Sequence, residues 1–246
     1  MSNPKQGGLW ETVKTVVYAV LIALGIRTFA YEPFNIPSGS MIPTLLIGDY
    51  LFVSKFSYGY SRYSFPFSPP LFSGRILQQD VDRGDVAVFK LPRDGSTDYI
   101  KRIVGLPGDR IQMKKGILYI NDQPVERKRV EDFEPGVRGS GGPPVTQYIE
   151  TLPNGRSYRT LKVGEDASLD DTPLFNVPPG HYFAMGDNRD NSLDSRAAGG
   201  VGFIPAENLI GRAEFLFFSV NGQARIWEVW NWPLAIRYDR LFTAIH

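Results

Sequence analysis

Residues 37–45 (PSGSMIPTL) contain two serines around a glycine, a pattern that can supply a catalytic nucleophile. A serine hydroxyl is a weak nucleophile at neutral pH and needs a neighbouring base to take its proton. Taken alone, Ser40 is better interpreted as a structural residue of a Gly-Ser loop. A catalytic role for Ser40 requires a base elsewhere in the chain. Only two histidines are present, His181 and His246, which leaves few bases of the usual kind. Ser40 could carry out acyl transfer if another side chain served as its base.

Lys101 is the candidate amine, and it lies in residues 99–104 (YIKRIV), a short β-favouring run. A lysine has a reference pKa of about 10.4, and that pKa must fall by roughly three units before the amine can act as a base near neutral pH. Side chains alternate between the two faces of a strand, so Lys101 shares its face with Tyr99 and Ile103. Apolar surroundings of this kind would desolvate its ammonium group. The other interpretation is a strand lysine that stays in water.

Residues 185–196 (MGDNRDNSLDSR) form a third candidate block, a polar cluster. A calcium loop is one interpretation, but its third position is Arg189 and the required glycine and distal glutamate are missing. A Ser-His-Asp triad would have to recruit His181, a few residues before the cluster. We predict no metal site, because histidine is scarce and cysteine is absent.

In residue type, order and spacing, these blocks resemble the bacterial type I signal peptidases (leader peptidases). That family consists of membrane-anchored serine proteases with a Ser-Lys dyad, and the resemblance runs from about residue 27 to the last residues, with a variable middle. It implies that Ser40 is the nucleophile and Lys101 the general base. It also implies an oxyanion hole formed by Ser38 and the Ser40 backbone N–H. Ser192 would hold the lysine amine toward the nucleophile.

The resemblance also implies supporting and substrate-binding residues. In the polar cluster, two acids and two arginines would support the site: Asp187, Arg189, Asp194 and Arg196. Asp194 and Arg196 would form an ion pair. The family binds the end of a signal peptide as an extended strand and admits only alanine-sized side chains at positions −1 and −3. The residues that match its pocket-lining positions are Phe34, Ile36, Pro37, Met41 and Ile100. Plain core packing is the alternative for these residues, above all for Met41.

The composition is that of an ordinary globular protein of 246 residues, and it excludes several classes of function. Hydrophobic residues make up 42% of the chain and charged residues 22%. The net charge is +1, whereas nucleic-acid-binding proteins usually have a strong basic excess, so we predict no nucleic-acid partner. The absence of cysteine excludes disulfides, zinc-thiolate sites and thiol nucleophiles. No cofactor is implied.

Residues 15–26 (TVVYAVLIALGI) are an apolar run between two cations, Lys14 and Arg27. Because such cations can extend toward lipid headgroups, we predict that residues 11–31 form a transmembrane anchor in a phospholipid membrane. Basic residues precede the run, which predicts a cytoplasmic segment 1–10 and a catalytic domain on the outer, periplasmic side. With the resemblance, this predicts a bacterial cytoplasmic (inner) membrane protein with a single N-terminal span.

Two alternatives remain open for this run. In a cleavable signal peptide, Thr28-Phe29-Ala30 would precede the cut, although these residues fit a cleavage site only loosely. The run could also be a buried helix of a soluble protein, but it is apolar on every face. Residues 56–72 (FSYGYSRYSFPFSPPLF) are aromatic and proline-rich and are either a surface loop or a segment that dips into lipid headgroups.

From residue 33 onward, short β-favouring runs are separated by glycine, proline or aspartate. We predict strands at 85–90, 99–104, 117–120 and 181–185, with hairpins that pair 109–113 with 116–121 and 148–152 with 157–161. The predicted fold is mainly β: an antiparallel-sheet catalytic domain after one N-terminal transmembrane helix. Residues 32–124 and 180–246 would form the two parts of the catalytic core. The resemblance implies that residues 125–179 are a smaller inserted β domain of variable sequence.

The resemblance predicts an endopeptidase that removes signal peptides from exported preproteins after small-x-small (Ala-x-Ala-like) sequences, through an acyl-enzyme. A self-cleaving repressor would share the dyad but carry a DNA-binding domain, for which the sequence has no signal. An organelle inner-membrane peptidase is a further alternative, although the N-terminus lacks a transit peptide. From another class, the chain could be an inactive, membrane-tethered β-domain that binds partners.

Overall fold

The computed structural model describes residues 8–135, 142–164, 166–222, 228 and 230–246. The predicted fold class is confirmed: these residues form antiparallel β-sheets preceded by one long apolar helix. Residues 1–7 of the predicted cytoplasmic segment, and parts of the predicted inserted region, lie outside the described residues.

The N-terminal helix α1 (Leu9–Phe29) has 21 residues and a mean hydropathy of 1.6 in its most apolar window, none of which is buried. At 1.5 Å per residue it is about 31 Å long, which matches the hydrocarbon thickness of a bilayer. Within the described part of the chain, it is the one helix that is long and apolar enough to cross a membrane. A buried helix of a soluble protein would pack its apolar side chains, whereas these are exposed.

The strands after this helix are short, as expected where glycine, proline and aspartate interrupt the β-favouring runs. They are β1 (Tyr31–Asn35), β2 (Asp49–Ser54), β3 (Val86–Lys90), β4 (Asp98–Gly105), β5 (Arg110–Lys114), β6 (Ile117–Ile120), β7 (Gln123–Pro124), β8 (Glu126–Arg129), β9 (Thr146–Thr151), β10 (Ser157–Lys162), β11 (Phe175–Asn176), β12 (His181–Met185), β13 (Ile204–Pro205) and β14 (Leu209–Ser219). A short helix α2 (Trp232–Ala235) follows. The predicted strands and both predicted hairpins are confirmed to within a few residues.

Seven strands form the main sheet, in the order β1-β2-β14-β3-β4-β12-β13, and all of their pairings are antiparallel. Strand β3 lies inside this sheet, and its sequence VAVFK is apolar at four successive positions because both faces are covered. Val86 and Val88 enter one core cluster, while Ala87 and Phe89 enter another on the opposite face. The partner strand β4 therefore also carries its side chains into two buried environments.

The remaining strands form two smaller sheets, one in the order β10-β9-β8 and one in the order β11-β5-β6-β7. The second of these shares a core with the main sheet, since Ile111 and Leu118 pack in one cluster with Phe183. The domain division at residue 125 stays a prediction. Strands β5 to β7, which precede that residue, already pair outside the main sheet.

The segment between β1 and β2 carries Ser40 and is closed at its base by backbone hydrogen bonds. The N–H of Ile36 donates to the Asp49 carbonyl, and the N–H of Gly48 donates to the Ile36 carbonyl. The fully buried Asp49 carboxylate accepts from the Arg240 guanidinium at 2.5 and 3.1 Å. Arg240 also donates to the Thr44 carbonyl at 3.0 Å. This C-terminal arginine thus ties both the end and the middle of the serine-bearing segment.

Candidate active site

Ser40 lies in the turn that follows β1, and 8% of its surface is exposed. The Asn188 N–H donates to the Ser40 carbonyl at 3.1 Å, and the Asn188 side-chain amide donates to the Gly39 carbonyl at 3.0 Å. These two bonds attach the turn to the polar cluster that follows β12. Gly39 and Asn188 are 149 positions apart. Two segments that are distant in the sequence therefore meet at the serine.

Lys101 points from β4 toward this turn, and its Nζ lies 2.7 Å from the Ser40 Oγ. The Lys101 side chain is 4% exposed, and its amine also donates to the Ile100 carbonyl at 2.9 Å. Ala87 lies directly opposite on β3, and the Tyr99 ring centroid is 5.3 Å from the amine. The structure therefore brings the candidate nucleophile and the candidate base together among largely apolar groups.

Burial controls the protonation of this lysine. It lowers the pKa of Lys101 to about 8, against the opposing influence of the Asp194 and Asp187 carboxylates, which raise it. Among the described residues no carboxylate oxygen lies within 4 Å of the amine, so no ion pair restores its usual basicity. An amine with a pKa near 8 carries a free lone pair in a substantial fraction of molecules at neutral to mildly alkaline pH. It can then accept a proton from a hydroxyl at hydrogen-bond distance.

Ser38, the predicted partner in the oxyanion hole, lies on the solvent side of Ser40. The two hydroxyl oxygens are 3.4 Å apart, so one hydroxyl can donate to the other or both can face a common ligand. Gly39 between them brings the backbone close: a Cβ at this position would lie 3.1 Å from Ile42. A carbonyl oxygen that enters beside Ser40 could thus meet both the Ser38 hydroxyl and the Ser40 N–H.

Ser192 is buried, but its hydroxyl does not bind the lysine. Among the described residues, no hydrogen-bond partner of the Ser192 Oγ is present, and the Lys101 amine bonds to Ser40 and Ile100 instead. The Ser192 side chain lies against Gly186, close to the Ser40 carbonyl. The predicted Ser192–Lys101 hydrogen bond is therefore not made in this structure, although Ser192 lies at the edge of the site.

Asp194 and Arg196 form a buried ion pair with guanidinium–carboxylate contacts at 2.8 and 3.0 Å. The Gly186 N–H donates to the same carboxylate at 2.9 Å, and Arg196 donates to the Arg189 carbonyl. The pair thus holds both ends of the polar cluster. Such a pair is unsuited to proton transfer, because its charges are already satisfied, and it is suited to fixing a loop.

Asp187 and Arg189, the other two predicted supporting residues, also form ion pairs, but not with each other. Arg189 makes a two-pronged ion pair with Glu150 on β9, at 2.6 and 2.8 Å, which joins the cluster to one of the smaller sheets. Asp187 pairs instead with Arg102 on β4, at 2.7 and 2.8 Å. Each residue connects the cluster to a different part of the fold.

Arg102 is a site residue that the sequence analysis missed. It is fully buried and donates to Asp187, while the Thr44 hydroxyl donates to the same carboxylate at 2.5 Å. Strand β4, the Ser40 turn and the polar cluster therefore meet at one carboxylate. A signal was available: two successive cations on an otherwise apolar strand must face opposite sides of the sheet, so each needs its own partner.

A cavity of about 730 Å³ opens beside Ser40 and Lys101. Four of the five predicted substrate-binding residues line it: Phe34, Ile36, Pro37 and Ile100. The fifth, Met41, is fully buried in the core beneath. Asn188, Asn191 and Leu193 form a further wall that was not anticipated. Among the predicted catalytic residues, Ser38, Ser40 and Lys101 line the cavity, so a ligand there would reach the serine directly.

His181, the base of the alternative triad, is occupied elsewhere. Its Nδ1 lies 2.9 Å from the Pro179 carbonyl on an exposed turn. The described hydrogen-bond partners of the Ser40 hydroxyl are Lys101 and Ser38. A histidine-dependent mechanism at Ser40 therefore has no support in this geometry.

Comparison with known proteins shows the family of this chain. Residues 9–218 match the family described as signal peptidase, peptidase S26. The chain is 46% identical over 250 residues to a signal peptidase I of Rickettsia canadensis, a match that covers 95% of this chain and 92% of the relative. The chain belongs to the bacterial signal peptidase I family. It is 45% identical over 223 residues to the signal peptidase I of Rickettsia typhi, with 86% and 82% covered.

Family membership makes the protein a serine endopeptidase that removes signal peptides from preproteins, and it excludes the inactive binding module. A solved signal peptidase I from Enterococcus faecalis is also similar, with 25% identity and a TM-score of 0.32 over 55% of this chain and 97% of that one.

Gly186→Ala tests the close packing at the centre of the site. A Cβ there would lie 2.5 Å from the Ser40 carbonyl oxygen and 2.2 Å from the Ser192 Oγ, so the Ser40 turn must move. We expect kcat for preprotein cleavage to fall about 100-fold or more, because small displacements of reacting groups are costly. Gly164→Ala is the matched control, since nothing lies within 4 Å of its added Cβ. An unchanged kcat in Gly186→Ala would contradict this picture.

Proposed function

We propose that Ser40 and Lys101 form the catalytic dyad of this signal peptidase. The observation that carries the proposal is the 2.7 Å contact between the Ser40 hydroxyl and a buried lysine amine whose pKa is lowered to about 8. The neutral amine takes the Ser40 proton while the Oγ bonds to the carbonyl carbon of the preprotein. The proton then passes to the leaving nitrogen as the peptide C–N bond breaks. Water, deprotonated by the same amine, hydrolyses the resulting ester and restores the serine.

The Ser38 hydroxyl and the Ser40 N–H are the proposed donors to the oxyanion of the tetrahedral intermediate. Their support is proximity: the two serine oxygens are 3.4 Å apart at the cavity wall. A donor of this kind contributes roughly 100- to 1,000-fold to kcat. Ser192 has a proposed supporting role, since its hydroxyl is buried near the reacting serine and can turn toward a moving lysine amine.

The cavity supports the proposed preference for small-x-small sequences. Strand β1 is an edge strand of the main sheet. On β4, pairing with β12 begins only at Arg102, so the residues before Arg102 do not pair with β12. An extended peptide can therefore pair with free backbone groups in the cavity while its side chains meet Phe34, Ile36 and Ile100. Large apolar walls on both sides leave room for small side chains next to the scissile bond.

Ser40→Ala and Lys101→Arg test the dyad in the full-length chain purified in detergent. An arginine keeps the positive charge but cannot lose its proton, so it cannot act as a base. We expect each variant to lower kcat for an Ala-x-Ala preprotein by about 1,000-fold or more, with preprotein binding retained. His181→Ala should cleave at the original rate. Near-normal cleavage by either dyad variant would disprove the assignment.

The pH dependence of cleavage tests the base. The reactive form is the neutral amine, so kcat/KM should rise with pH and level off above the Lys101 pKa of about 8. Below that value the rate should fall about tenfold per pH unit. The measurement is kcat/KM from pH 6 to 10, with circular dichroism at each pH to verify folding. A lower limb near pH 6.5, where histidine titrates, would point to another base.

Helix α1 supports a membrane anchor with the catalytic domain on the outer face of a bacterial inner membrane. Lys14 lies near its start and Arg27 at its end, while the sheets follow the C-terminal end. Phe29 at that end contacts the rings of Tyr60 and Phe65, so the aromatic segment 56–72 lies beside the anchor. This segment exposes Phe67 completely and Leu71 by 66%, and such side chains suit the lipid interface.

The absence of cysteine makes the orientation directly testable. Single cysteines are introduced by Ser2→Cys before the helix and by Ser73→Cys at an exposed position directly after the aromatic segment. In intact cells, a maleimide reagent that does not cross the inner membrane should label the second variant and spare the first. Both should react after the membrane is dissolved. Labelling of the N-terminal cysteine alone in intact cells would reverse the proposed orientation.

A further inference from the structure

The junction between α1 and β1 has the layout of a substrate of this enzyme. A lysine and an apolar run precede Thr28-Phe29-Ala30, which places modest side chains at the positions called −3 and −1 relative to the Ala30–Tyr31 bond. The helix ends at Phe29 and the extended strand starts at Tyr31, so this bond lies where a helical apolar segment changes into extended chain.

Thr28, Phe29 and Ala30 are held in a conformation and in hydrogen bonds that prevent their binding to a protease as an extended strand. Thr28 and Phe29 are helical, whereas recognition by strand addition needs extended backbone. Thr28 is 7% exposed, and the Phe29 carbonyl accepts from the Tyr60 hydroxyl at 2.8 Å. The Ala30 carbonyl, which a nucleophile would have to attack, accepts from the Lys55 N–H at 3.0 Å.

Ion pairs bracket the same bond. The Glu32 carboxylate binds Arg27, before the bond, at 2.7 Å and Lys55 at 2.8 Å. The Lys55 side chain is 3% exposed and also donates to the Ser64 carbonyl at 2.6 Å. Unwinding the last helical turn would therefore separate Arg27 from Glu32 and expose polar groups that the fold has paired. Such unpairing is unfavourable, which keeps the turn closed.

We propose that Ala30–Tyr31 is a latent cleavage site for a second copy of this enzyme, masked by the Arg27–Glu32–Lys55 bridge and the Tyr60–Phe29 hydrogen bond. The inference rests on the proposed function, because it uses the same dyad and the same small-x-small preference. Local opening of the junction exposes the site, and cleavage there releases the catalytic domain from its anchor.

The cut is made between molecules. Strand β1 and the following turn separate Ala30 from Ser40 of the same chain, a span of roughly 20 Å or more for extended residues. The second copy's serine Oγ bonds to the Ala30 carbonyl carbon, and its hydroxyl proton passes through its lysine amine to the Tyr31 nitrogen as the C–N bond breaks. Water then adds hydroxyl to the Ala30 acyl group and returns a proton to the serine.

The test uses a full-length target chain that carries Ser40→Ala, so that it cannot cleave itself, incubated with the wild-type enzyme in detergent. Glu32→Gln and Tyr60→Phe, alone and combined, loosen the junction. A preprotein with an Ala-x-Ala site is present in every tube as an internal standard. The product is a fragment that begins at Tyr31, identified by mass and N-terminal sequencing. Circular dichroism and thermal unfolding verify that each target is folded.

We expect the combined target to yield this fragment at least about tenfold faster than the target with an intact junction, since tenfold corresponds to about 1.4 kcal/mol of opening free energy. Adding Ala30→Leu should stop cleavage, because leucine is too large for the −1 pocket. Lys162→Met, which breaks a similarly buried lysine pair with Asp170 far from the junction, should not release the fragment.

Intact loosened targets beside a fully cleaved preprotein would overturn the latent site and leave the proposed function standing. A preprotein that also stays intact would refute the proposed function, and the latent site with it. Equal cleavage of the Lys162→Met target would overturn the masking role of the junction. A cut at another position, insensitive to Ala30→Leu, would likewise overturn it.

Discussion

The site depends on one hydrogen bond between the Ser40 hydroxyl and the Lys101 amine at 2.7 Å. In the proposed dyad this bond serves proton transfer only if the amine is neutral, and burial lowers the pKa of Lys101 to about 8. The shift corresponds to about 3 kcal/mol that disfavours the charged amine in the folded chain below that pH. As pH rises from about 8 toward 10.5 the folded amine is neutral while the unfolded one still holds its proton, so this destabilisation is gradually relieved.

Strand β4 carries two adjacent cations, Lys101 and Arg102, whose environments are opposite in character. Arg102 donates to both oxygens of the Asp187 carboxylate and to two backbone oxygens on its side of the sheet, and these acceptors compensate its charge. Lys101 on the other face receives one carbonyl, one hydroxyl and apolar neighbours. Alternation along a strand gives each side chain its own environment. The fold thereby keeps Arg102 charged as a structural tie, whereas it lowers the pKa of Lys101.

Local patterns in the sequence predicted most of what local physics controls. The apolar run predicted helix α1, and β-favouring runs between turn residues predicted strands such as β4, β6 and β12. The serine turn and lysine strand could be singled out because each has an unusual residue in a recognisable context. Their contact, by contrast, spans 61 positions and follows from sheet closure, which no local pattern encodes.

The sequence did not predict which buried acids pair with which buried arginines. Asp187 and Arg189 are near neighbours in sequence, yet they pair with Arg102 and Glu150 on different sheets. Several acids and arginines are equally plausible partners when only their order is known. The buried hydroxyl of Ser192 was also assigned a bond that it does not make in this structure. Rotation of a side chain by one rotamer decides such a bond, and rotamers depend on packing in three dimensions.

The attachment of Arg240 to Asp49 and Thr44 has a consequence for folding. The two bonded residues Asp49 and Arg240 are 191 positions apart, and Ser40 and Lys101 both precede most of that interval. The serine turn is therefore fully secured only after these distant residues have come together. Its order depends on long-range closure of the fold and not on the sequence of the turn alone.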